Sequence, residues 1–184
     1  VFVAVYYPTN EFDVITSNLL QIKILGQTAK IISTIFNDKI LLLIMVLLSA
    51  FLFWIKEAKK AIFIFFSAGF GGLILFIIKY TVQRVRPLPD VFDGYSFPSG
   101  HSTIVVVFFI SLLFVINKKK FLSMLAIFAI IAVPVSRVVL GAHFISDVVA
   151  GLLLGSIVVD FMKVYYKKIY NIIKSITGEN KWIS

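Results

Sequence analysis

Residues 61–78 read AIFIFFSAGFGGLILFII, eighteen positions without a charged side chain, and Lys79 closes the run. A transmembrane α-helix needs about 20 predominantly apolar residues to cross the hydrocarbon core. Within lipid, a helix satisfies every backbone N–H and C=O inside its own segment. The same texture recurs on both sides of this run. Upstream it covers about Ile40–Ile55, with a start as early as Ile31-Ile32; downstream it covers about Ser102–Ile116, Phe121–Val135 and Phe144–Met162. Several of these stretches are shorter than a full span, so their helices are expected to continue past the apolar core and carry polar residues at their ends. Across 184 residues the chain is 60% hydrophobic and 15% charged, with a mean hydropathy of +1.00. A soluble domain of this size buries its core with far less apolar content, and the composition predicts an all-α, polytopic membrane protein.

The chain opens on Val1-Phe2-Val3-Ala4-Val5-Tyr6-Tyr7, too short to span. It reads as the end of a truncated first helix, with a cleaved signal peptide as the alternative. Between Pro8 and Lys39, Ile15, Leu19, Ile22 and Leu25 follow helical spacing with Asn18 and Gln21 between them, the pattern of an interfacial amphipathic helix. The expected architecture is a six-transmembrane helical bundle forming a single domain over 1–184, without internal repeats. The absence of cysteine excludes disulfides and thiolate metal sites, and neither a metal site nor a cofactor is expected.

The formal charge of +9 belongs to topology and lipid headgroups rather than to nucleic acid, because the basic residues sit between apolar segments. Lys56, Lys59 and Lys60 join the first two complete spans, Lys118, Lys119 and Lys120 the next two, and Lys163, Lys167, Lys168 and Lys174 follow the last. Alternation puts all three clusters on the cytoplasmic side and leaves 81–100 and 137–143 outside. Lys79, Arg84, Arg86 and Arg137 then break the positive-inside rule, and anion binding is the simplest explanation. Arg84 alone reads as a helix-end cation snorkelling to headgroups.

The outer segments carry Lys79-x6-Arg86-Pro87, then Pro98-Ser99-Gly100-His101, then Ser136-Arg137-x5-His143-x3-Asp147, and the two histidines of the chain both fall inside these clusters. Lys79, Arg86 and Arg137 suit a phosphate, the arginine forks matching its oxygens in pairs. Ser99 and Gly100 precede a helix, where free N–H groups and the positive dipole end favour an anion. His143 and Asp147 share a helix face, so the carboxylate can fix one tautomer and stabilise the imidazolium. A histidine held so can attack phosphorus, and His101 from another helix can protonate the departing oxygen and activate water. Taken singly these residues have plainer roles, Lys79 and Arg86 as snorkelling cations and His143–Asp147 as a buried polar pair; together they do not.

These three motifs resemble those of the type 2 phosphatidic acid phosphatase family, usually called PAP2, with all eleven specified positions present in order. The resemblance implies a metal-independent phosphatase working through a phosphohistidine, with His143 as nucleophile, Asp147 its partner and His101 the general acid. It implies Lys79, Arg86, Ser99, Gly100 and Arg137 as phosphate ligands. The expected substrate is a lipid phosphate in the cell membrane, undecaprenyl diphosphate first, with phosphatidylglycerophosphate and phosphatidic acid as alternatives and a soluble phosphate behind them. The family also resembles vanadate-dependent haloperoxidases, which the hydropathy argues against. A transporter or anion channel is the non-enzyme alternative, but it needs polar residues through the midplane, whereas the ionisable groups here gather at one end.

Four further expectations concern packing. Pro134 is expected to kink its span, Gly151 and Gly155 to pack within the bundle rather than to dimerise, and Gly69, Gly71 and Gly72 to mark close approach. Tyr95 and Phe97 line the lipid path or sit at the interface. Asp160 has no assigned role.

Overall fold

A computed structural model describes residues 11–20, 25–116 and 120–177, with side chains from 17 to 20 left out. They form α1 (Glu11–Leu20), α2 (Gly26–Ile35), α3 (Asp38–Trp54), α4 (Ala58–Val82), α5 (Gly100–Val115), α6 (Lys120–Val139) and α7 (Ile145–Thr177), with no strand among them. Among the described residues, four stretches are long and apolar enough to cross a membrane: 26–54 (α2 with α3), 58–82, 120–139 and 145–176, and α5 is a shorter apolar helix. The all-helical membrane architecture holds. The fragment Val1–Tyr7 lies outside the described residues, as do Ile22, Lys118 and Lys119.

α5 is the axis. It touches α3, α4, α6 and α7, and Ile104, Val105, Val106, Val107 and Phe109 are buried along it. One core cluster joins it to α3, α4 and α7 around Met45, Phe63, Ile64 and Val158; the other joins it to α3 and α6 around Leu41, Ala129 and Val133. The opposite helix faces expose Leu43, Leu47, Phe76, Leu153 and Ile157. Such apolar surface is unfavourable in water and natural in lipid.

One sequence expectation changes. The stretch before α3 holds two helices rather than one, while Ile31-Ile32 lies in α2, inside the apolar stretch 26–54 that runs on through α3. The break falls at Phe36-Asn37, where the Asn37 side chain accepts from the N–H groups of Lys39 and Ile40 and caps α3. α6 continues through the buried Pro134 to Val139.

The glycines divide sharply. A Cβ on Gly151 would lie 2.7 Å from the Ser99 carbonyl oxygen, and one on Gly155 would lie 2.6 Å from that of Thr103. Both therefore serve contact between α7 and α5 inside the chain. Gly71 meets Val107 at an ordinary 3.4 Å, whereas Gly69 and Gly72 would meet nothing within 4 Å, so among the described residues those two show none of the close packing expected of them. Asp160 forms an exposed pair with Lys163 at 2.8 Å, worth little to stability.

Gly151→Ala and Gly155→Ala should each lower the thermal midpoint in detergent by several degrees, the consequence of about 1–3 kcal/mol of overpacking. Gly72→Ala should leave it unchanged or raise it. Equal tolerance at all three positions would show that α7 is not held against α5 in this way.

Candidate active site

Three breaks in helical structure bring the sequence motifs to one end of the bundle. Gln83 adopts a left-handed conformation (φ 52°) and ends α4 one turn beyond Lys79. Ser99 caps α5, its hydroxyl accepting from the Ser102 N–H. Gly141 (φ 68°) turns the chain between α6 and α7, where the N–H groups of Ala142 and His143 both donate to the Arg137 carbonyl. The three turns are tied together. The Ser99 N–H donates to the Asp147 carbonyl at 3.0 Å. Lys79 Nζ donates to the carbonyls of Tyr95 (2.7 Å) and Pro98 (3.1 Å).

Arg86 organises the centre. Its Nε donates to the carbonyls of Asp93 and Gly94, and its Nη1 donates to that of Ala142 at 2.8 Å. The same Nη1 lies 3.1 Å from His143 Nε2. A guanidinium has donors only, so Nε2 accepts and the ring proton sits on Nδ1. Behind Nδ1, Asp147 Oδ2 lies at 3.6 Å, an ion-pair separation rather than a hydrogen bond. Asp147 is fully buried, and its Oδ2 also accepts from the Phe144 N–H at 2.9 Å. Burial pushes the His143 pKa down to about 4; the nearby Asp147 opposes this, while Arg86 and Arg137 add to it. The imidazole is therefore neutral at physiological pH, with its lone pair on Nε2 facing the cations. Burial likewise lowers the Arg86 pKa.

Arg137 is buried, donates to the Ser33 hydroxyl and lies over the Phe92 ring at 5.6 Å. Its Nε has no hydrogen-bond partner among the described residues. His101 is largely covered, and its Nδ1 is 3.6 Å from Asp38 Oδ2. Ser99 is fully buried, with its hydroxyl bonded to that of Ser102 at 3.0 Å and its N–H already used. Such a set can hold a phosphoryl group among Lys79, Arg86 and Arg137, with one neutral imidazole and a second histidine beside it.

Sequence reasoning missed Arg84. It is not a snorkelling cation: it is buried, with Nη2 2.7 Å from Asp13 Oδ2 and Nη1 2.7 Å from Asp147 Oδ1. The Ser146 hydroxyl joins the cluster, 2.6 Å from both Arg84 Nη1 and Asp13 Oδ2, and Phe144 packs its ring 4.3 Å from the guanidinium. Burial acts to raise the Asp13 pKa, but hydrogen bonds from Arg84 and Ser146 prevail and hold it below the ordinary value. The signal available in the sequence was weak, one of two acidic residues, Glu11 and Asp13, in the first turn of an amphipathic stretch.

Residues 60–170, the greater part of the chain, match the PAP2 superfamily.

The chain belongs to the PAP2 superfamily.

It is therefore an enzyme of phosphate-ester hydrolysis in a membrane. A crystal structure of a transmembrane PAP2-type phosphatidylglycerolphosphate phosphatase from Bacillus subtilis superimposes with a TM-score of 0.71 at 27% identity, covering 85% of each chain. Phosphatidylglycerophosphatase B of Bacillus subtilis (strain 168) is 31% identical over 140 residues, 70% of this chain and 69% of that protein. An undecaprenyl-diphosphatase of Sulfolobus acidocaldarius is 37% identical over 90 residues, but this chain covers only 42% of its length. A lipid A 1-phosphatase of Rhizobium johnstonii is 36% identical over 111 residues, 43% of its length. Relatives of this PAP2 chain thus bear names for several different lipid phosphates.

Removing the Arg84 side chain strands two buried carboxylates, at a cost of about 3–5 kcal/mol. Arg84→Ala should unfold at markedly lower temperature than the wild type, and adding Asp13→Asn should restore part of the loss. Strict additivity in this double-mutant cycle would contradict the buried bridge.

Proposed function

We propose that this PAP2 protein is a lipid phosphatase in which His143 takes the phosphoryl group, and that residues 1–184 act as one membrane-embedded domain. The observation that carries it is the 3.1 Å approach of Arg86 Nη1 to the unprotonated Nε2 of His143, with the Asp147 carboxylate behind Nδ1. Lys79, Arg86 and Arg137 bind the phosphate oxygens, and the first-turn N–H groups at Gly100 add to them; Ser99 shapes that turn. Nε2 of His143 attacks phosphorus as the bond from phosphorus to the lipid oxygen breaks, and protonated His101 gives its proton to that oxygen. Asp147 balances the charge that develops on the His143 ring. In the second half, neutral His101 takes a proton from water, the hydroxide oxygen bonds to phosphorus, and the bond from phosphorus to Nε2 breaks. None of these steps requires a metal.

Phosphatidylglycerophosphate ranks first as substrate, ahead of the undecaprenyl diphosphate expected from sequence, because the relative and the structure that match most of both chains carry that name. The Sulfolobus relative keeps the polyprenyl diphosphate as the second reading. A groove of about 180 Å3 between α2 and α6, lined by Ala29, Ile32, Val135 and Val139, suits an apolar tail reaching Arg137 from the side. The active site faces outward: the α3–α4 turn and the distal part of α7 share the other end, where Lys59 lies 5.2 Å from the Tyr170 ring, and lysines cluster there.

Phosphate release by purified protein in detergent with EDTA, from phosphatidylglycerophosphate, undecaprenyl diphosphate and phosphatidic acid, tests this. Release should survive EDTA, fall by about 10⁴-fold or more in His143→Ala, and keep its kcat/KM below pH 6.5 because His143 stays neutral there. Release that EDTA abolishes, or that His143→Ala retains, would overturn the mechanism.

A further inference from the structure

Each histidine of the site faces a carboxylate, but only one of those carboxylates lies in a family motif. His143 has Asp147. His101 has Asp38, the first residue of α3, whose Oδ2 is 3.6 Å from His101 Nδ1. The Ser33 backbone also favours the charged form of this ring, so both groups that do so come from the corner between α2 and α3.

The contact is built rather than incidental. Asn37 caps α3 and fixes the backbone at Asp38, while Asp38 Oδ1 accepts from the Lys39 N–H at 3.0 Å and leaves Oδ2 for the histidine. A carboxylate is well placed in the first turn of a helix. Gly100 makes room for it, since a Cβ there would lie 2.7 Å from Asp38 Oδ2. The glycine beside His101 is thus explained by the carboxylate packed on it. Asp38 also faces the phosphate-binding cations, acting electrostatically on Lys79, Arg86 and Arg137. A negative charge there weakens phosphate binding, so its presence calls for a compensating use. Burial first, and then Arg137 and Arg86, favour the neutral form of His101, whereas Asp38 opposes them, so Asp38 supplies the counter-charge that a ring taking up a proton beside two cations needs.

We propose that Asp38 is a positioning residue for leaving-group protonation, fixing the His101 ring and balancing its charge so that it delivers its proton to the oxygen leaving phosphorus. This rests on His101 being the general acid of the reaction proposed above. Asp38 touches the histidine, not the substrate.

The test compares two single-chain substrates with the same tail, an alkyl phosphate and an alkyl-nitrophenyl phosphate. The nitrophenolate leaves without needing a proton; the alkoxide does not. The ratio of the two rates is independent of how much of a variant is folded. Asp38→Asn should lower turnover of the alkyl phosphate about tenfold or more relative to the nitrophenyl phosphate, part of the ~10²–10⁴ that a positioned general acid contributes. His101→Ala should do the same more strongly, and Asp38→Glu should recover part of the ratio. If His101→Ala changes the ratio and Asp38→Asn does not, Asp38 is structural and this inference fails alone. If His101→Ala leaves the ratio at its wild-type value, His101 is not the acid, and both fail.

Discussion

The close approach of α7 to α5 is the constraint on which the site depends. Gly151 and Gly155 let two backbones meet without intervening side chains, and that contact puts the Ser99 N–H on the Asp147 carbonyl at 3.0 Å. Through this one hydrogen bond the loop before α5 and the first turn of α7 share a register. His101 follows from the first and His143 from the second. Lys79 then fastens the end of α4 to the same loop through the carbonyls of Tyr95 and Pro98.

Charge at this end is arranged in two layers. Lys79, Arg86 and Arg137 form one layer, and in the proposed reaction weak screening at these buried cations would strengthen their hold on a phosphate. Beneath them Arg84 bridges Asp13 and Asp147, so the carboxylate behind His143 is itself held by a cation. Asp147 thus has its oxygens on Arg84 and on the Phe144 N–H, and it stands 3.6 Å from the imidazole it supports. The bridge also fastens α1, whose Phe12 and Ile15 are exposed while its Asp13 is buried. A helix that buries Asp13 and turns Phe12, Val14 and Ile15 outward is arranged for lipid rather than for water.

What the sequence made legible was what periodicity and fixed spacing encode. Uncharged runs marked the spans from α3 to α7, and the spacing from Lys79 to Arg86 and from Arg137 to Asp147 marked residues that the fold brings together at one end of the bundle. What it hid were partners remote in the chain. Arg84 lies 71 positions from Asp13 and 63 from Asp147, so it looked like any helix-end cation. Asp38 carries no signal of its own in the sequence, because its relation to His101 exists only once α3 packs on α5. The α2–α3 break was also hidden, since the single cap at Asn37 interrupts an apolar pattern that otherwise runs on. Gly69 and Gly72 show the converse, a small-residue signal with no contact behind it.

The central claim is that the phosphoryl group passes through His143, and the most direct measurement is to catch it there. Protein mixed with phosphatidylglycerophosphate that carries an isotope-labelled terminal phosphate is quenched in alkali, where phosphohistidine survives, and its peptides are read by mass spectrometry for the labelled group. The account predicts phosphate on the peptide carrying His143, none on that carrying His101, and its disappearance on a chase with unlabelled substrate. Turnover without a phosphorylated histidine, or with the label on His101, would contradict it.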